Sequence, residues 1–303
     1  MKLRRTKRNA LGDVALIAAT ALALILVIGS LAVIVFDVGI HGYSRLSWAF
    51  LTESPDDGMM GGGIFPAIVG TTLMVFLMTL AGVPIGVATA VYLHEYAAPD
   101  SRFAKLVRLA VQNLAGVPSI VFGLFGLGFF IQWVGPGIDR FVLGGARVFG
   151  QPGILWASLT MAVLTLPVVI VATEEALSAV PNSVREAAFA LGATKFQVVA
   201  TVVVPQSLAG ILTGGILAVS RGAGEVAPLL FTGAAYFLPE LPSRLSDQFM
   251  HLGYHVYVLS TQSPNVDATE PILYATVLVL LALVFMLNLA AMVARSRMRR
   301  HYA

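Results

Sequence analysis

Arg221 and Glu225 are two charges in an otherwise uncharged stretch, "ILTGGILAVSRGAGEVAPLLF" (211–231). A guanidinium holds phosphate oxygens bidentately, through a planar fork of donors. An ionisable residue in hydrocarbon costs roughly 3 kcal/mol or more, so such a position is functional by default. Spaced by four, the two side chains share a helix face, and Arg before Glu is the poorer order for an ion pair made for its own sake. Two readings stand. In one, Arg221 lines a path for an anion and Glu225 neutralises it when the path is empty. In the other, the pair, or a pair with a partner chain, only fixes helix register. A second candidate is "HLGYH", where His251 and His255 have the i,i+4 spacing of zinc ligands. No third ligand is near and the segment reads as loop, so no metal site is expected. A third is "NSVREAAFALGATKFQVV" (182–199), polar and helix-forming in a chain of long apolar runs.

These residues must be positioned by helices in a bilayer. The 303 residues are 57% hydrophobic and 12% charged, with mean hydropathy +0.85, where a soluble domain carries about 25% charge. The chain reads as an all-α polytopic membrane protein. With no cysteine, disulfides, thiol nucleophiles and thiolate metal sites are excluded. No Gly-Lys dipeptide occurs, so the chain has no P-loop for ATP. A span needs roughly 20 apolar residues, and uncharged runs of that order lie at 14–36, 64–93, 109–134, 148–173, 198–220 and 271–294. The first is too long for a signal core and no cleavage site follows it, so it reads as a retained helix. Pro84, Pro118, Pro167 and Pro228 are interior prolines that a bundle accommodates. Gly210, Gly214 and Gly222 make a small-residue face for helix packing. Tyr92, Trp133, Trp156 and Tyr274 read as interfacial anchors. Asp56, Asp57 and Gly58, with Gly61 to Gly63, read as a flexible outer loop.

Of nineteen Lys and Arg, fourteen fall in the N-terminus, the 94–108 and 174–204 loops and the tail after Ala294, and Arg45, Arg140, Arg147 and Arg244 fall on the other side. By the positive-inside rule both termini, and with them 182–199, are cytoplasmic. The basic tail reads as a topology anchor beside anionic lipid. Within 182–199, Ser183 and Glu186 fit a capping box, Gly192 a left-handed C-cap, and Thr194 with Gln197 a second capping box. Two helices meeting at a bend form a thin protrusion. It fits either a groove on another protein or the lipid surface.

Glu186-Ala187-Ala188, then Gly192 after three residues, then Val202 and Val204-Pro205 resemble the EAA loop of ABC-importer permeases, with Val replacing the usual Ile and Leu. In that family the loop docks on the ATPase subunit, which the resemblance implies for Glu186, Ala187, Ala188 and Gly192. "GGGIFPAIVGTTLMVFLMTLAGVPIGVATAVYLHEYA" (61–97), "NLAGVPSIVFGLFGLGFF" (113–130), "SRGAGEVAPLLFTGAAYF" (220–237) and "YHVYVLSTQSPN" (254–265) resemble the A-type permease subunit of the bacterial phosphate-specific ABC importer. Val226 stands where members often have Thr. The resemblance implies a type I importer-permease fold with the EAA coupling helix between spans four and five. Charge and hydropathy give a basic N-terminus over 1–13, a first helix over 14–36 and a basic tail over 295–303, and the resemblance implies a permease core over 64–294 with its coupling loop at 174–204. The expected setting is the bacterial inner membrane.

The implied partners are a homologous second permease, two ATPase subunits, a periplasmic or lipid-anchored phosphate-binding protein, and inorganic phosphate, with no cofactor and no nucleic acid. The longest outward loop, about 38 residues, is too short to be a binding domain itself. Charged residues of span five are associated with phosphate passage in that family, which favours the path reading of Arg221 and Glu225. Two alternatives are a permease for another oxyanion, such as sulfate or molybdate, and a stand-alone secondary transporter. Against the last stand the lack of an evident inverted repeat and of an acid network beyond Glu225.

Overall fold

The structure is a computed structural model that describes residues 10–56, 59–98 and 100–302, with side chains described from Gly12 to Arg297. The basic stretch 1–9, Asp57, Gly58, Pro99 and Ala303 lie outside the described residues, as do the side chains of the tail from Met298. Among the described residues the chain is a helical bundle with six helical segments long and apolar enough to cross a membrane. The first is α1 (Ala10–Tyr43). After the short α2 (Trp48–Thr52), β1 (Pro55–Asp56) pairs antiparallel with β2 (Gly61–Gly62), so the predicted loop is a hairpin. Span two is α3 (Phe65–Val91), prolonged by a π-helical turn over Tyr92–Tyr96.

The third span differs from its predicted bounds of 109–134. Residues from 109 to Ala115 belong to a separate amphipathic helix, α4 (Arg102–Ala115), and the span is Ser119–Phe141, formed by α5 (Ser119–Phe125), a π-helical stretch (Gly126–Val134) and α6 (Gly135–Phe141). The break falls at Gly116–Pro118. Proline supplies no N–H to a helix and biases the residue before it, Val117, away from helical backbone. Span four is α7 (Ile154–Ser178). The turn after it holds α8 (Asn182–Ala190) and α9 (Lys195–Val198), which runs through a π-helical turn (Val199–Val203) into α10 (Val204–Gly224). The short α11 (Leu229–Thr232) and α12 (Leu252–Gln262) precede α13 (Val266–Tyr302), the sixth span.

Most helices outrun the apolar windows that announce them. A hydropathy window stops at the first charge, whereas the helical hydrogen-bond ladder continues while long side chains reach toward water. As a result Asp37, Glu95, Glu174 and Glu175 stand on the spanning helices. Arg221 is therefore not the sole ionised residue on the spanning helices.

The centre of the bundle is α7, two-thirds buried over its apolar window, where α1 is wholly exposed. It packs against α3 and α10. The close approach to α10 rests on Gly210 and Gly214, where a Cβ would strike the Cβ atoms of Ala176 and Ala172. This is small-residue packing, in which missing side chains let backbones touch. Met74, Met78, Met161, Leu229 and Phe249 fill the core between these helices. Trp156 stacks on Phe130 and meets Phe149 edge-on. It is buried and its Nε1–H donates to Phe149 O at 2.7 Å, so the predicted interfacial role is wrong for it, while Tyr92 and Trp133 are exposed.

Candidate functional site

Helix α10 stops at Gly224. Glu225 has extended backbone (φ −81°, ψ 135°), and the chain stays irregular until Pro228 opens α11. Gly222 and Gly224 weaken the last turn, and Pro228 disfavours helix at Ala227. Arg221 lies in that last turn, where the partial negative charge of the helix C-terminus favours a cation. Its Nε stands 3.6 Å from Glu225 Oε1. The pair therefore forms as predicted, although Glu225 is past the helix end and not on its face. Beside it Ser220 Oγ donates to Asn288 Oδ1 at 2.6 Å, pinning the last turn to α13.

Arg221 is the charged residue of a cavity of about 160 Å³ walled by Ala115, Phe122, Leu164, Pro167 and Val171. Its side chain is 42% exposed. Depth follows from Pro167, which is about 20 Å from the Ile154 end of α7 and about 16 Å from the Ser178 end at helical rise. Arg221 is thus near the mid-height of α7, because α10 ends inside the bundle. The remaining distance is covered by α11, which brings Gly233 against the Gly153 backbone at the start of α7. Irregular backbone at membrane depth is tolerated where it is buried in protein or lines a cavity.

At the other end of α7, α8 and α9 meet at Gly192, whose φ of +86° is a left-handed cap. Thr194 and Gln197 make the predicted reciprocal capping box. Ser183 does not cap α8. Pro181 is the N-cap, no side chain caps the helix, and Ser183 lies inside the first turn. Proline's fixed φ lets the helix start two residues early, with Val184 N–H donating to Pro181 O. Glu186 and Ala187 face outward and Ala188 is half-buried. Leu191 and Phe196 near them are exposed.

His251 and His255 are on a helix after all: His251 is the N-cap of α12 and its Nδ1 accepts from Gly253 N–H at 3.1 Å. Both rings are buried. Burial pushes His251 down to about 3 and His255 to about 4. Among the described residues His251 Nε2 and both nitrogens of His255 have no hydrogen-bond partner. Among the described residues no group of three metal-ligating side chains occurs.

Residues 82–300 match the family of binding-protein-dependent transport system inner membrane components. The chain belongs to that family. A Bacillus subtilis (strain 168) protein described as the probable ABC transporter permease protein YqgI is 34% identical over 264 residues, spanning 83% of this chain and 84% of the relative. The Yersinia pestis phosphate transport system permease protein PstA is 37% identical over 201 residues, spanning 66% of this chain and 62% of its own length. Among solved structures, a bacterial alginate ABC transporter in complex with its periplasmic protein aligns with TM-score 0.65 and 17% identity, over 97% of this chain and 96% of the other. The MetNI methionine ABC transporter aligns at 0.51 and 19%, over 80% and 94%. These likenesses are of fold: a six-span, type I importer-permease bundle.

The inner membrane component match takes in α7 to α12 and with them every candidate residue above, but not α1. Two guanidiniums that the sequence reading passed over stand within it. Arg108 donates to Glu174 Oε1 (3.1 Å) and Leu93 O (2.7 Å). Arg185 donates to Glu95 Oε1 (2.8 Å), Leu177 O (2.8 Å) and Val180 O. The signal missed was a count of charges of both signs at the ends of spans two and four.

Proposed function

We propose that the chain is one of two homologous permease subunits of an ATP-driven importer for inorganic phosphate, working with two ATPase subunits and an extracytoplasmic phosphate-binding protein. Both termini face the cytoplasm, as does the α8–α9 turn. Glu186, Ala187, Ala188 and Gly192 form the surface that seats in the ATPase. Phosphate passes the break in span five. There the Arg221 guanidinium exchanges Glu225 for the oxygens of the anion, and Glu225 takes it back when the anion leaves. The observation that carries this reading is Arg221 itself, a cation at mid-depth in an otherwise apolar cavity, in a chain similar to phosphate permeases.

The test is uptake in proteoliposomes holding the assembled complex. Arg221→Gln abolishes or severely reduces phosphate uptake with assembly kept, Arg221→Lys retains part of it, and Glu225→Gln is milder. Near-wild-type uptake by the double variant Arg221→Gln with Glu225→Gln would show the pair to be only a register pin. Competition by sulfate or molybdate at equal strength would refute the choice of anion.

A further inference from the structure

Helix α8 has no buried residue, so apolar packing does not explain why it holds a fixed place beneath the bundle. Ala188 makes a partial contact with the small cluster of Leu177, Val180, Val198 and Val203. The strongest tie is polar. The Arg185 side chain is 14% exposed and its ion-pair partner Glu95 only 9%. One guanidinium thereby bonds two spans at once: Glu95 in the π-helical turn that ends span two, and Leu177 O and Val180 O at the end of span four. Val180 O lies past the end of α7 and has no intrahelical donor, so the guanidinium satisfies a carbonyl that would otherwise need a cap, while Leu177 O also accepts from Val180 N–H. Arg108 staples the same two ends to each other from α4. His94, whose Nε2 is 3.7 Å from Glu95 Oε1, is the other titratable group at the pair.

We propose that Arg185 is the positioning residue that carries movement of the α8–α9 turn into spans two and four. A hinge made of apolar contacts would slide. Directional, charge-assisted bonds to two different helices transmit displacement along defined lines, because they are stronger and geometrically tighter than neutral ones. Glu95 sits where the backbone widens to π-helix, a distortion concentrated at functional positions. The proposal rests on the reading that this turn docks on the ATPase.

The experiment measures radiolabelled phosphate imported per ATP hydrolysed by the reconstituted complex, a ratio that a merely stabilising residue does not move. Arg185→Gln lowers it at least tenfold and Arg185→Lys, which keeps charge without the fork, by less. Glu95→Gln keeps the carbonyl contacts and loses one charge. It lowers the ratio as well, and it decides the matter if Arg185→Gln fails to assemble. Because the chain lacks cysteine, spin labels at Ala190→Cys and Ala98→Cys report the α8-to-span-two distance. Its distribution broadens in Glu95→Gln. An unchanged ratio in Glu95→Gln overturns the proposal and leaves the importer reading standing. A wild-type complex that imports no phosphate, or a turn that binds no ATPase, instead overturns the reading beneath it.

Discussion

Acid should loosen the α12 cap, and the size of the effect follows from two side chains. His251 and His255 are held neutral by burial, at about 3 and about 4 against an ordinary 6.5. A released α12 would expose both rings, and they would then titrate near 6.5. Because the packed state binds protons less readily than the released one, stability is full above 6.5. It falls as pH drops from 6.5 towards about 4 for His255 and about 3 for His251. At pH 5 the solution is about 1.5 units below the released rings' ordinary value while the packed rings stay largely neutral, which costs about 2 kcal/mol per ring at roughly 1.4 kcal/mol per unit, or about 4 kcal/mol for the pair. No carboxylate is paired with either ring among the described residues, so nothing compensates. The assay is hydrogen–deuterium exchange of amides 249–262, corrected for intrinsic rate, at pH 7.5 and pH 5. Protection should fall by about a thousandfold, since each 1.4 kcal/mol is tenfold. The loss should be roughly halved on the log scale in His255→Phe. Unchanged wild-type protection at pH 5, or an equal loss in His255→Phe, would refute the reasoning.

Other outcomes follow from the same geometry. Ser246→Cys should react with an impermeant maleimide added outside the cell and Ser296→Cys should not; the reverse pattern would invert the bundle. Gly214→Val places a Cβ 2.8 Å from that of Ala172 and should cost about 1–3 kcal/mol through overpacking, seen as a lowered melting temperature in detergent. Gly12→Ala, where nothing lies within 4 Å, should not lower it. Glu186→Lys with Gly192→Pro should leave insertion intact and release the ATPase; co-purification at wild-type ratio would rule out docking by this turn.

Period and charge were enough to read the six spans and the bend at Gly192, because a bilayer accepts few solutions and a positive φ selects glycine. Span ends were not legible from apolar runs, since Glu95 and Glu174 sit on helices whose polar ends are satisfied by Arg185 and Arg108 from segments distant in sequence. Burial of "HLGYH" was equally hidden. Polar spacing suggests an exposed loop, yet α12 is folded under the hairpin and α13, with Leu252, Val258 and Leu259 in one core cluster. The break at Gly224 was written in Gly222, Gly224 and Pro228, but its depth was not. Depth depends on where α7 stands beside it.

Arg108, Arg185 and Arg221 differ in how completely the protein satisfies them. A guanidinium has five N–H donors. Arg185 spends its donors on a carboxylate and two carbonyls, and Arg108 on a carboxylate and a carbonyl. Both are fixed parts of the frame, and removing either would strand a carboxylate. Arg221 makes no hydrogen bond among the described residues and faces its one carboxylate at 3.6 Å, beyond bonding distance. Had it served only to set register, a bonded geometry like that of Arg185 would be expected, since an underpaired charge at this depth is costly. Ser220 and Asn288 already fix the rotation of α10, so register needs no help from the neighbouring cation. Arg221 lines a cavity with donors left unspent, and the proposed anion path uses those donors to bind the anion and release it again.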